Sequence, residues 1–213
     1  MIEIVDVCKS IHGVEVLSHI NLRLEDGRIY GVKGKNGSGK TMLLRVLCGL
    51  VRPTSGQVVV DGVPLRPGAF LEDAGVLIEN PSFVRSYSGK ANLVELAAIR
   101  NTVDEARVDE ILGRVGLDPL DERPVRAYSL GMRQRLGIAA ALLEHPSTIL
   151  LDEPVNALDP AGVDQAVRLL GEARARGALV VVACHDSEEI EALFDETLSM
   201  AEGKLYDGDA RDH

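Results

Sequence analysis

Residues 34 to 41 read Gly34-Lys35-Asn36-Gly37-Ser38-Gly39-Lys40-Thr41, a G-x-x-x-x-G-K-[ST] octapeptide. Its glycines let the backbone curl so that successive N–H groups point inward at an anion, and a following helix adds its positive end. A phosphate chain is the ligand such a loop fits. Lys40 reaches its outer phosphates, and the Thr41 hydroxyl is placed for Mg²⁺. The flanks agree: Ile29-Tyr30-Gly31-Val32 is strand-like before the loop, and Met42–Leu47 opens a helix pattern after it. The strand–loop–helix frame implies an α/β fold that binds a nucleoside triphosphate.

A nucleotide site also needs an acidic strand. Thr148-Ile149-Leu150-Leu151-Asp152-Glu153-Pro154 supplies four apolar residues and then a carboxylate pair. Open α/β sheets bind ligands at the carboxyl ends of their strands. Asp152 is placed to hold Mg²⁺ through its water shell, and Glu153 to polarise an attacking water as base or orienting acceptor. The next apolar strand, Leu179–Ala183, runs into Cys184-His185-Asp186, so His185 can contact the terminal phosphate or position Glu153. Both runs are apolar on every face, which predicts a parallel sheet covered by helices on two sides.

The remaining pattern divides the chain. Ile2, Ile4 and Val7 fall near alternation, and Ile20, Leu22 and Leu24 alternate before an Asp26-Gly27 turn. Gln57–Val60 runs into Asp61-Gly62, a hairpin signal. Residues from about 88 to 145 are helical in character, with candidate helices at Ala91–Ile99, Val108–Val115 and Met132–Leu143. The expected fold is one domain over residues 1–213. It has a P-loop core with a parallel sheet, an N-terminal antiparallel β subdomain and an inserted helical subdomain.

Composition narrows the partners. A net charge of −10 over 213 residues argues against nucleic acid or an anionic membrane surface as a direct partner. No apolar run approaches the roughly eighteen residues of a membrane span, and the N-terminus lacks a signal-peptide layout. Cys8, Cys48 and Cys184 are far apart without metal spacing and read as buried, reduced thiols. A cytoplasmic protein is expected, held at a membrane only by another subunit.

With these motifs in order, the sequence resembles the ATP-binding subunit of an ABC transporter over essentially its whole length. Tyr128-Ser129-Leu130-Gly131-Met132-Arg133-Gln134-Arg135 looks like the family's LSGGQ-Q-R signature and opens twenty-four residues before Asp152. Asn156-Ala157-Leu158-Asp159 looks like the D-loop, and His185 occupies the switch-histidine position. The resemblance implies ATP and Mg²⁺ as ligands and a head-to-tail dimer with a second ATPase domain. Ser129 and the Gly131 backbone would face the γ-phosphate held by the partner. It also implies a separate transmembrane permease and a place on the inner face of the cell membrane. As a plain helix start, Ser129 is equally a cap, and both roles use the same N–H groups.

Three positions depart from the family pattern. Leu130 and Met132 replace the usual Gly and Gln of the signature. Glu79, in Val76-Leu77-Ile78-Glu79-Asn80-Pro81, stands where the Q-loop glutamine is expected; a carboxylate can accept from Mg²⁺-bound water but cannot donate. Ile11 aligns with the aromatic that stacks on adenine, and the neighbouring His12 is the alternative, pointing to the other side if both lie on a strand. The Glu79 segment and the signature together are similar to ATPases of bacitracin-resistance and lantibiotic-immunity exporters. A permease contact is expected around Pro81–Ser88, with Phe83 and Tyr87 as anchors or as subdomain core. The rival expectation is a soluble ABC ATPase of DNA repair, cofactor assembly or translation, which would favour a long coiled-coil insertion, a basic face or a tandem domain. Cargo and direction of transport are not written in this chain.

Overall fold

The structure, a computed structural model, describes residues 1–79, 81–185 and 188–207. Asn80 and Asp186 of the segments quoted above lie outside the described residues. Two sheets organise the fold. The first is antiparallel, with β1 (Ile2–Ile11), β2 (Val14–Leu24), β4 (Ser55–Val60) and β5 (Val63–Pro64) in the order β2-β1-β4-β5. Asp61 and Gly62 both take positive φ (49° and 80°) and close the β4–β5 hairpin, as their sequence predicted. The near-alternation of β1 has a cause: the pairing with β2 shifts between Ile4 and Val7, with Asp6 at φ 48°. The extra residue swings Val7 back to the buried face beside Ile2 and Ile4.

The second sheet has the order β10-β9-β3-β8-β7-β6. Its strands are β3 (Ile29–Lys33), β6 (Ala74–Leu77), β7 (Thr148–Asp152), β8 (Leu179–Cys184), β9 (Glu196–Ala201) and β10 (Lys204–Asp207). All neighbours pair in parallel except β9 and β10, which form an antiparallel edge. The expected parallel sheet is therefore present, with a reversed strand on one side. β6, β9 and β10 were not legible as strands.

Period-two alternation explains how two cores share this sheet. Ile149, Leu151, Val180 and Val182 face a core built with the helices, whereas Leu150, Leu179, Val181 and Ala183 face the antiparallel sheet. Each fully buried aliphatic side chain contributes about 1.5–3 kcal/mol. Helix α1 (Lys40–Leu47) fills the second core with Leu43, Leu44 and Leu47. The first holds α2 (Gly89–Arg100), α3 (Glu105–Arg114), α4 (Leu130–Leu142) and α5 (Pro160–Ala175). Ser88, Asp104, Ser129 and Asp159 cap these four helices through their side-chain oxygens. A short helix α6 (Glu188–Glu191) precedes β9. α4 lies so close on β6 that a Cβ at Gly75 would overlap the Ala141 carbonyl, so only glycine serves there. That approach ties the helical subdomain to the nucleotide-binding sheet.

Candidate nucleotide site

Because β3, β8 and β7 are adjacent and parallel, the segments that follow them emerge at one edge. Lys33 is level with Cys184, and Asp152 with Ala183. The phosphate loop, His185 and the Asp152-Glu153 pair are thereby brought together from three distant parts of the chain. Gly39, at φ 112°, turns the loop into α1, and its carbonyl accepts the first helical hydrogen bond from the Leu43 amide at 2.9 Å. Another residue at Gly39 would also drive its Cβ into the Val16 carbonyl.

The side chains converge as the spacing required. The Thr41 hydroxyl donates to Asp152 Oδ2 at 2.6 Å. The Lys40 ammonium, only 6% exposed, donates to the Gly34 carbonyl at 2.5 Å and stands 3.8 Å from Glu153 Oε1. His185 Nδ1 lies 2.8 Å from that same Oε1; facing a carboxylate, it carries the proton and donates. The Glu153 backbone is in the left-handed region (φ 48°) and its amide donates to the Ala183 carbonyl. Of the two readings for His185, the structure brings together the one with Glu153.

Burial raises the Asp152 carboxyl above the usual carboxylate range; the Thr41 hydrogen bond opposes this, and the Glu153 charge adds to it. Ser38 Oγ and Glu153 Oε2 are buried without a hydrogen-bond partner among the described residues. The Thr41 hydroxyl, the Asp152 carboxylate and the unpartnered Oε2 of the next residue, Glu153, make a hard oxygen set, which suits a Mg²⁺ ion with its water and phosphate oxygens. Lys35, Asn36 and Gly37 stand exposed on the loop, open to a ligand.

The other predicted residues lie further out. Ser129 Oγ accepts from the Met132 amide at 3.1 Å, so the capping role holds. Gly131 packs against the Ala157 carbonyl, which joins signature and D-loop, while Leu130 is 55% exposed. Arg135 of the signature bonds Asp159 of the D-loop, together with Gln165 and the Val115 carbonyl. Ile11 is 37% exposed at the end of β1. His12 does not continue that strand: it turns the hairpin at φ 49° with Gly13, so the strand-based argument about its direction does not apply. Phe83 packs on the core of the helical subdomain, whereas Val84 and Tyr87 are exposed. Glu79 leaves β6 at φ 60° and pairs with Arg45.

Two contributions were not read from the sequence, that of Gln134 within the signature and that of Arg45. Buried Gln134 donates from Nε2 to the backbone carbonyls of Glu153 (3.2 Å) and Pro154 (2.9 Å), fixing the segment that carries the candidate base. Arg45, the partner of Glu79, carried no signal. Cys8, Cys48 and Cys184 are all free and buried, as expected.

A phosphate loop, a carboxylate at the end of a parallel strand that β8 separates from β3, and a histidine-paired glutamate define a P-loop ATPase domain of the cassette type. The family described as ABC transporter matches residues 17–156. An uncharacterized ABC transporter ATP-binding protein, YybJ of Bacillus subtilis, is 40% identical over 96% of this chain and 94% of its own length. The bacitracin transport ATP-binding protein BcrA of Bacillus licheniformis is 37% identical over 100% of this chain and 71% of its own. The lantibiotic transport ATP-binding protein SrtF of Streptococcus pyogenes is 33% identical over 98% and 92%. The bacterial ABC transporter cassette MJ0796, solved as a dimer, shares the fold with a TM-score of 0.87 at 24% identity, covering both chains fully. The chain belongs to the ABC transporter ATP-binding family and is an ATPase subunit of such a transporter. Among the described residues no helix is long and apolar enough to cross a membrane.

Proposed function

We propose that two copies of this chain close head to tail around two MgATP molecules and so drive a separate permease in the membrane. The observation that carries this reading is a division of the site. Lys40, Thr41, Asp152, Glu153 and His185 converge on the core, whereas Ser129 and Leu130 stand exposed at the N-terminal end of α4. An exposed helix N-terminus with a small hydroxyl and a glycine suits a phosphate presented from outside the monomer.

In this reading the loop amides of residues 34–39 and the Lys40 ammonium bind the phosphate chain. Thr41 and Asp152 would hold Mg²⁺, and Glu79 would accept hydrogen bonds from water bound to it. When bound, the ion supplies charge neutralisation along the phosphates. Glu153 accepts from the attacking water through Oε2, while His185 fixes Oε1 and so sets the direction of the free oxygen. Ile11 offers the base an apolar contact. The permease docks on residues 81–88 through Val84 and Tyr87, while Phe83 supports them from the core. The names of BcrA and SrtF, a bacitracin and a lantibiotic transport protein, favour a transporter of peptide antibiotics as the assembly served, and the resemblance to resistance and immunity pumps favours export. The subunit then works on the cytoplasmic face of the membrane, and its net charge of −10 disfavours a nucleic-acid partner.

The test is the mass in solution of a Glu153→Gln chain, measured by light scattering with and without MgATP. A doubling on MgATP that Ser129→Arg abolishes is expected. A monomer at saturating MgATP, with nucleotide binding intact, would refute head-to-tail closure of two copies.

A further inference from the structure

Glu79 poses an electrostatic problem. β6 and β7 pair in parallel with Leu77 level with Leu151, so Glu79 follows β6 at the same edge where Asp152 and Glu153 end β7. Its charge is among those that disfavour ionisation of Asp152. Three carboxylates at one edge, facing a triphosphate, repel one another and the ligand. Lys40 lies 3.8 Å from Glu153 and answers part of that charge. Arg45 answers another part: Nη2 lies 2.6 Å from Glu79 Oε1, with the Arg45 side chain half-buried and Glu79 exposed.

The placement of Arg45 is set by the helix that begins in the phosphate loop. It is four residues after Thr41 on α1, so the two side chains share a face, one turn apart. The same helix thus delivers the hydroxyl that bonds Asp152 and the cation that holds Glu79. Arg45 also lies in the last turn of α1, where a cation is favourable for the helix itself. That contribution does not depend on which residue stands at position 79.

We propose that Arg45 is a positioning residue for the nucleotide site: it pairs with Glu79 and offsets its charge, so that a carboxylate works at this place beside MgATP. The proposal rests on the reading of Glu79 as a neighbour of the metal. Arg45 and Glu79 then form one neutral unit. Removing the cation leaves a surplus negative charge at the edge and raises the Mg²⁺ concentration needed for nucleotide binding. Removing the carboxylate leaves a surplus positive charge and lowers it. Removing both returns the site near its starting point.

The experiment is a Mg²⁺ titration of the binding of a non-hydrolysable ATP analogue, by calorimetry on the full chain. It compares the parent, Arg45→Gln, Glu79→Gln, the double variant and Arg45→Lys. Arg45→Gln is expected to raise the Mg²⁺ midpoint about three- to tenfold, the size expected for one solvent-screened charge near the surface. Glu79→Gln should lower it, the double variant should fall within twofold of the parent, and Arg45→Lys should restore most of the loss. Thermal midpoints measured alongside report the helix-end effect of Arg45→Gln in the Glu79→Gln background, and any larger shift with Glu79 present is the contribution of the ion pair. A midpoint unmoved by Arg45→Gln, or raised equally with Gln at position 79, overturns the proposal while leaving Glu79 at the metal. A Glu79→Gln curve superimposable on the parent refutes the placement of Glu79 and the proposal with it.

Discussion

Glu153→Gln separates chemistry from binding and folding at this site. Oε1 of Glu153 is committed to His185 Nδ1 at 2.8 Å, with Lys40 at 3.8 Å, so Oε2 is the atom left for a water. In glutamine the amide oxygen keeps the His185 bond, which places the NH₂ group where Oε2 stood. A donor then occupies the place of the acceptor, and no basic atom remains. General-base contributions of this kind are worth roughly 10²- to 10⁴-fold, or about 3–5 kcal/mol of barrier. The effect on stability is much smaller because two charge terms oppose each other. The change removes the attraction to Lys40 and also the repulsion of the buried Asp152 carboxylate. The net should stay within about 1 kcal/mol, or about 2–4 °C for a chain of this size. Phosphate release at saturating MgATP, calorimetric ATP affinity and thermal midpoint should therefore change by at least a hundredfold, by less than threefold and by a few degrees, respectively. Turnover within threefold of the parent, with the fold intact, would remove Glu153 from the role of base.

Lys40→Ala should abolish tight MgATP binding, since it deletes the buried ammonium at the loop's inner face; equal affinity by calorimetry would contradict the assignment. Ile11→Tyr should tighten ATP binding by up to about 1–3 kcal/mol, the range for a base stacked on an aromatic ring, while His12→Ala changes little. The reverse pattern would transfer base contact to the hairpin turn. Burial, and then the nearby Glu191 and Glu153 charges, push the Cys184 thiol up to about 12. At pH 8 only on the order of one thiol in ten thousand is then ionised, so native Cys184 should resist alkylation until the fold opens; rapid labelling at pH 8 would refute this.

The fold was legible wherever a local signal coincided with the final environment. Continuous apolar runs marked β7 and β8 because both faces of those strands are buried. The Asp61-Gly62 turn marked its hairpin because positive φ at two successive residues demands such a pair. β6 went unseen: Ala74-Gly75-Val76-Leu77 is short, and Gly75 is chosen for the approach of α4 rather than for strand propensity. α5 could have been read from its Asp159 cap, considered only as part of a D-loop, and the Pro160 that follows. The direction argued for His12 rested on a strand that ends at Ile11, because a bulged, turning hairpin breaks the regular alternation there.

What the sequence determined by itself was the chemistry of nucleotide binding. A phosphate loop works through the backbone of eight consecutive residues, so spacing alone specifies it. The carboxylate pair after an apolar strand is similarly contiguous. The tertiary structure decided which distant groups complete the site: Thr41 with Asp152, His185 with Glu153, Gln134 under the Glu153 backbone, and Arg45 with Glu79. These pairings depend on strand order and on the register of parallel strands, which arise from contacts across the whole chain. Their loop-closure entropy is offset only when both cores are packed, so no short window of sequence carries them.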